Sequence, residues 1–488
     1  MGFIPPPGPV REPVFDNPSP WQKKLLVAVV LACVFGISVA MTVCPPPIAS
    51  LVLGETLGPD YGDYSVLFTD DGAGTALDDG DQTFVLMCSA LVLIMTPGIA
   101  FFYGGMINHK NMIGTIATTM APLAIIPFVW AIFGFTLAFG EDAGFPGIIG
   151  KPMSYGLMYN VGAVPYGGLS ISTSTFFIFQ GMFAIITPAI IVGAIADRVN
   201  FPSLFIFVPM WHLIVYCPIA HMVWGGGLIS SYDILDFAGG MVVHMSSGYG
   251  ALAAAYFLGP AKLHEAEGPA NIPYVVLGTA FLWFGWYGFN GGSALGANSF
   301  AAHAYLNTTL ATAAAMIAWM LCDQIAGKPF KTTGLCLGIV VGLVVITPAC
   351  GLVNPGAAGI MGVIGSCVSY GVQMLMNKYG KTKADDTLSV FAAHGMGGTM
   401  GMLMTSLFQS VDAGAAVDGG FYGNGAEFGK CIIVLLCLVA WYLLATYCLM
   451  WFTNLFISMR VTEEEEEEGL DFSKHYEGPV AESTVADL

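Results

Sequence analysis

The chain has 488 residues, of which 56% are hydrophobic and only 10% charged; soluble domains carry about a quarter charged residues, so the composition argues against a soluble multidomain enzyme. A mean hydropathy of +0.72, with 62 glycines and 28 prolines, suits helices packed in lipid. The formal net charge of -18 argues against a nucleic-acid partner. Eleven cysteines are scattered without a CxxC pair, so neither a metal site, a disulfide framework nor a cofactor is expected.

Residues 1–24 open the chain as a Pro-rich stretch ending in Lys23-Lys24, either cytosolic or the basic region of a signal. The apolar segment 25–43 then has two readings, a cleaved signal peptide with the small-residue site Ser38-Val39-Ala40, or an uncleaved signal anchor. Both place the following segment, 44–81, outside. Eight acids and no Lys or Arg fall in 51–81, which reads as a solvated loop or as an anionic vestibule that concentrates cations.

A spanning helix needs about 20 apolar residues. Windows of that kind lie at 83–103, 112–138, 173–195, 201–224, 237–258, 273–291, 301–322, 333–349, 356–376, 388–408 and 431–457, giving an eleven-helix domain over 82–458. With the start of segment 25–43 inside, thirteen of the fifteen Lys and Arg residues fall on the cytoplasmic side and only Lys151 and Lys430 fall outside. That bias meets the positive-inside rule and leaves the tail, 459–488, in the cytosol. The tail holds ten acids, six of them Glu463 to Glu468, a pattern expected to be solvated and disordered. Asn307-Thr308-Thr309 matches a glycosylation signal but lies inside a span, which discounts it.

Two of these helices open alike. Asp236 stands eight residues before His244 and Asp386 eight before His394, and each His is followed four residues on by a glycine, Gly248 and Gly398. The units open the fifth and tenth spans, so the two helices run in opposite directions. This predicts an inverted repeat of five helices plus five, with the functional site near the midplane. Ionisable groups in hydrocarbon cost about 2.5–3.5 kcal/mol and usually face a cavity or a partner. His212, His221 and His303 read as satisfied core residues. For His244 and His394 the repeat favours a paired role, because neutral imidazoles offer one donor and one acceptor each and a chain of two can line a lumen or relay a proton. Metal binding is the competing use, without an evident third ligand. Asp236 and Asp386 read as helix caps, and Asp236, on the outer side, also as an indirect attraction for a cation.

Aromatic residues add a second pattern. Phe179 and Phe183 lie at i, i+4, as do Phe289 and Ser293; Trp224 ends the fourth span and Trp286 lies beside Phe289 in sequence. Aromatic faces attract desolvated cations by up to about 2 kcal/mol, and a Ser hydroxyl adds an acceptor. Alternatively these rings are core or interfacial belt.

With the blocks PGIAFFYGG, FQGMFA, VGAIADR, PIAHMVWGGG, DFAGGMVVH, GFNGGSALGAN, ITPACG and HGMGG, and the tail EEEEGLD followed by His475, the sequence resembles the ammonium transporter family, in its Amt branch, over about 80–475. The resemblance implies an all-α membrane protein with an eleven-helix bundle, N-terminus outside and C-terminus inside, forming a homotrimer with one pore per subunit in the plasma membrane. It implies that Trp224, Phe179 and Ser293 recruit ammonium, with Asp236 beneath them. It further implies that Phe183 and Phe289 form a gate, that His244 and His394 are the pore histidines, and that Tyr103 and Trp286 line the pore. Ammonium would lose its proton and cross as ammonia. By the same resemblance Ser473 is a candidate regulatory switch through added charge, an inert serine being the alternative, and the tail could meet a cytosolic regulator. Ser389 stands where relatives often carry a second acid. The other readings are an ammonium sensor and a neutral-gas channel of the Rh type. No nucleophile–base pair lies within the spans, so an enzyme is not expected.

Overall fold

The computed structural model describes residues 76–143, 147–262, 268–380 and 383–477. The expectations for 1–24 and 25–43, and for 44–75 of the acidic segment, fall outside the described residues. Eleven long helices follow in chain order: α1 Asp79–Met106, α2 His109–Phe139, α3 Thr173–Val192, α4 Phe201–Trp224, α5 Gly240–Leu258, α6 Ile272–Gly292, α7 Ser299–Ile325, α8 Thr332–Ile346, α9 Pro355–Tyr379, α10 391–408 and α11 Gly425–Asn454. Nine of the described helices are long and apolar enough to cross a membrane by themselves. α8 is short and α10 is rich in glycine, and both are buried among their neighbours. Two short helices end the described chain, α12 Glu463–Glu468 and α13 Leu470–Ser473. The described residues hold only isolated β-bridges and no strand.

The hydropathy windows fall on these helices with small offsets at the ends. The largest is at α11, which begins at Gly425, ahead of the apolar run that opens at Cys431. The end of the expected acidic loop is helical: Asp79 and Asp81 sit in the first turn of α1, and Asp78 caps it by accepting from the amide of Asp81 at 2.9 Å. Carboxylates there meet the positive end of the helix dipole, so acids that look like loop in a hydropathy scan belong to the helix.

Contacts along the chain show α2 and α4 running in the same direction, with α3 between them in sequence. At one end the loop after α2 meets the end of α4, where the amide of Leu228 donates to Gly147 O at 2.8 Å. At the other end the start of α2 and the start of α4 meet the tail. Apolar side chains from most of the helices share one continuous core, and prolines within α1, α2, α3 and α4 are tolerated as in other packed membrane helices.

The repeat is visible where α5 and α10 cross. Each begins with a π-helical turn that contains its histidine, Gly240–Met245 and Phe391–Met396, and π turns of this sort recur at functional sites. The glycine four residues after each histidine lies against the other unit's histidine segment. A Cβ on Gly248 would stand 2.0 Å from the amide nitrogen of Gly395, and one on Gly398 would stand 3.0 Å from Gly240 O and 3.1 Å from His244 Cβ. Close packing of this kind requires a residue without a side chain at 248 and favours one at 398.

The run Glu463 to Glu468 is helical and docked rather than disordered as expected, although Glu463, Glu464, Glu467 and Glu468 are exposed to solvent. Thr462 and Glu465 form a capping box that starts α12. Glu466 is buried, accepting from Arg460 Nη2 at 2.7 Å and from the amide of Lys262 at 2.5 Å. Asp471, also buried, accepts from the amide of Gly114 at 2.7 Å, and the amide of Leu470 donates to Asn111 Oδ1 at 2.8 Å. The run folds because the helix ends and basic groups it docks on supply its partners. Arg460 also donates to Leu258 O and Pro260 O at the end of α5.

Candidate functional site

Asp236 organises the entry to α5. Its Oδ1 accepts from the amides of Gly239 and Gly240 at 2.8 and 2.7 Å, and its Oδ2 from Met241 and Val242 at 2.7 and 3.4 Å. Four orphan donors of a helix start are thereby satisfied within a buried loop. Asp386 does the same for α10 with two amides, Val390 at 2.9 Å and Phe391 at 2.7 Å. The Asp236 backbone also accepts from Trp224 Nε1 at 2.8 Å, which fixes that indole at the end of α4.

These two starts deliver His244 and His394 to one another. Their Nδ1 atoms lie 3.2 Å apart and both rings are buried. The opposite nitrogen of His244, Nε2, lies 3.3 Å from Thr347 Oγ1. Trp286 donates to the same hydroxyl at 2.9 Å and stacks on His244, with ring centroids 5.3 Å apart and planes 21° from parallel. Beside the two imidazoles, Ile99, Tyr103, Ile190, Trp286, Phe289 and Val340 are among the residues that line a narrow cavity. The volume open to a water-sized sphere is about 10 Å³, room for about one small molecule. Tyr103 holds its wall by donating to Ile190 O at 3.1 Å.

An aromatic series leads away from the histidines toward the Trp224 end. Phe289 lies against His244 with centroids 5.8 Å apart, Phe183 against Phe289 at 4.3 Å, and Trp224 against Phe183 at 5.9 Å. Phe179 meets Phe183 edge-on at 4.9 Å. Phe183 and Phe289 are fully buried and Trp224 is half-buried, so the series runs from a closed pair of rings to a partly open one. A Cβ on Gly292 would stand 2.7 Å from the Phe179 ring, which puts the neighbouring Ser293 in the same region. The Ser293 hydroxyl donates to Phe289 O at 2.8 Å, and its lone pairs are left to accept.

His212, His221 and His303, expected as satisfied core residues, each have a partner on one ring nitrogen, while His212 Nδ1 and His221 Nε2 are buried without a hydrogen-bond partner among the described residues. His303 Nε2 lies 2.7 Å from Val353 O, His221 Nδ1 lies 3.1 Å from Ala138 O, and His212 Nε2 lies 3.4 Å from Cys217 Sγ. Asn307 is buried and donates to Cys350 O and Val353 O. Among the described residues no cluster of three or more His, Cys, Asp or Glu could hold a metal. Ser473 donates to Glu465 O at 3.0 Å and Gly469 O at 2.9 Å, at the join of α12 and α13.

Thr347 is the member of this site that sequence reasoning missed. It sits in the block ITPACG, but a threonine in an apolar helix ordinarily returns its hydroxyl to the preceding turn, and nothing in its spacing distinguishes it. Asp197 and Arg198 were equally inconspicuous. Arg198 is fully buried at the tail end and donates to Asp197, Gly259 O, Thr387 and Asp385 O.

A bundle of membrane-crossing helices with a paired-imidazole cavity beside a series of packed aromatic rings defines a multi-pass membrane protein with a narrow buried cavity. The chain belongs to the Ammonium Transporter Family, whose model matches residues 83–479. It is 42% identical over 402 residues to an ammonium transporter of Bacillus subtilis, covering 82% of this chain and 98% of that one. It is 37% identical over 403 residues to ammonium transporter Amt1 of Archaeoglobus fulgidus, covering 82% and 99%. The crystal structure of Mep2 from Saccharomyces cerevisiae matches with a TM-score of 0.75 at 32% identity, covering 85% of this chain and 96% of that one. A sensor Amt protein matches with a TM-score of 0.74 at 28% identity, covering 81% and 98%.

Proposed function

We propose that the protein carries ammonium across the plasma membrane, releasing the proton on the way and passing ammonia beside His244 and His394. The observation that carries this reading is the 3.2 Å pairing of the two imidazoles in an apolar cavity closed by Phe289 and Phe183. A cation in such surroundings is unfavourable by several kcal/mol, while a neutral molecule that donates and accepts hydrogen bonds is not.

Trp224, Phe179 and Ser293 are the recruiting groups in this reading. Aromatic faces and an acceptor oxygen suit a small cation that still carries its charge, and the buried carboxylate of Asp236 behind Trp224 adds a favourable field. Phe183 and Phe289 are the gate, and Tyr103 and Trp286 line the path. The distribution of Lys and Arg puts the Trp224 end outside and the tail in the cytosol. Family membership supports a homotrimer with one passage per subunit.

The tail is the regulatory element in this reading. A phosphate on Ser473 would sit against the carbonyls of Glu465 and Gly469 and beside the carboxylate of Glu465, which already pairs with Lys474. Negative charge at a helix C-terminus is repelled, so phosphorylation would release the docked tail and change what a cytosolic partner meets.

A second reading, an ammonium sensor, draws support from the likeness to a sensor Amt protein and from the ordered tail as an output surface. The Rh-like gas channel is disfavoured by the retained Trp224, Phe183 and Ser293. Uptake of labelled methylammonium into proteoliposomes holding the purified full chain separates these readings. Saturable uptake competed by ammonium is expected. Ammonium binding without measurable flux would favour the sensor and overturn the transport reading.

A further inference from the structure

We infer that Thr347 is a positioning residue that fixes the protonation order of the histidine pair and leaves His394 Nε2 as its one free acceptor. The inference deepens the transport reading and rests on it for its consequence in conduction, but the hydrogen-bond argument stands without it. It begins with the hydroxyl of Thr347, which has one hydrogen and two lone pairs. Leu343 O lies 2.8 Å away, and a carbonyl oxygen only accepts, so the hydroxyl hydrogen is committed there. Trp286 Nε1 lies 2.9 Å away and an indole only donates, so one lone pair is taken. Toward His244 Nε2 at 3.3 Å Thr347 therefore offers its second lone pair and nothing else.

The rest follows for a pair of neutral rings. His244 must carry its hydrogen on Nε2, which leaves a lone pair on Nδ1. His394 Nδ1, 3.2 Å from that lone pair, must then carry the hydrogen of its own ring. The remaining nitrogen, His394 Nε2, has a lone pair and no protein hydrogen-bond partner among the described residues, and His394 lines the cavity. Both nitrogens of His244 and all three hydrogen-bonding positions of Thr347 are occupied. A hydrogen-bond donor in the passage, such as ammonia, therefore meets its acceptor at His394, and a proton joins the pair at that nitrogen.

Two independent features hold Thr347 in this role. It ends α8 as the residue after Ile346, so its backbone is fixed by the helix. Trp286, which shares its hydroxyl, is also stacked on His244, so indole and imidazole are brought to the same oxygen together.

The test uses the full chain in lipid, with ¹⁵N-labelled histidine and magic-angle-spinning NMR at neutral pH. The Nδ1–Nδ1 proximity of His244 and His394 identifies their signals. The expected result is a protonated Nε2 and bare Nδ1 on His244, with the reverse on His394. Thr347→Ser keeps this pattern. Thr347→Val removes the acceptor, so both orders become populated and ammonium-evoked flux in proteoliposomes falls by about tenfold, the scale of one lost hydrogen bond, with Thr347→Ser restoring it. A native His244 protonated on Nδ1, or a Thr347→Val protein with native tautomers, would overturn the inference. Absence of flux in the native protein, with the tautomers as assigned, would leave this inference standing and sink the transport reading instead.

Discussion

In the first Asp–His unit, Asp236 gathers four backbone amides and His244 is held on its far nitrogen by Thr347. In the second, Asp386 gathers two amides and the far nitrogen of His394 has no protein partner among the described residues. The repeat supplies matched scaffolds: a cap, a π turn, a histidine and a glycine that admits the other unit. What differs is the set of neighbours each scaffold meets. Trp286, from α6, and Thr347, at the end of α8, are hydrogen-bonded to each other, and both contact the first unit's histidine. A symmetric frame is thus given one pinned ring and one available ring.

The comparison can be broken most severely at the caps. Asp236→Asn replaces one carboxylate oxygen by a donor facing two amides and forfeits two charge-assisted bonds, a loss on the order of 4 kcal/mol. Asp386→Asn forfeits one, about 2 kcal/mol. Thermal unfolding of the two variants in detergent should rank them in that order, and equal shifts would mean that the caps are equivalent.

The glycines give the next effect. A Cβ at position 248 would stand 2.0 Å from a backbone nitrogen, whereas one at 398 would stand 3.0 Å from a carbonyl oxygen. Gly248→Ala should cost about 3 kcal/mol and Gly398→Ala about 1 kcal/mol, the two ends of the range for overpacking. The same unfolding assay reads both, and a smaller cost at 248 than at 398 would show that the crossing is not packed as described.

The tail offers a contrast with the core rather than between the units. Glu466→Gln removes the charge that holds Arg460 and should speed proteolytic cleavage beyond residue 461 by about tenfold, as expected for a lost charged hydrogen bond, with little change in core unfolding. A smaller effect is predicted for pH. Burial holds the His475 imidazole below its ordinary value, while Asp471 and Glu477 pull it up and Lys474 pushes it down. The docked tail therefore binds fewer protons than the undocked one, so docking is complete above the ordinary histidine value of about 6.5 and weakens as pH falls below it. Tail proteolysis compared with His475→Gln at each pH should show that slope in the native chain only.

The spans were legible because apolar runs of membrane length seldom occur outside lipid, and the histidine pair because ionisable groups in such runs are rare. The aromatic residues were legible as types at spacings, and only the fold brings Trp224, Phe183 and Phe289 into one series. Thr347 stayed hidden because its bond to Leu343 O satisfies the usual fate of a helical threonine, and its second and third partners lie 61 and 103 residues away in the chain. The order of the tail was hidden for a related reason. Its charges look uncompensated in sequence, yet Glu466 pairs with Arg460 and the amide of Lys262, and Asp471 with the start of α2.

The decisive measurement is uptake of labelled methylammonium into proteoliposomes carrying the native chain or the His244→Ala, His394→Ala double variant, with unlabelled ammonium and potassium as competitors. Uptake by the native protein should be competed by ammonium and not by potassium, and the double variant should lose either the uptake or its discrimination against potassium. A double variant that matched the native rate and selectivity would contradict the role given to the imidazole pair.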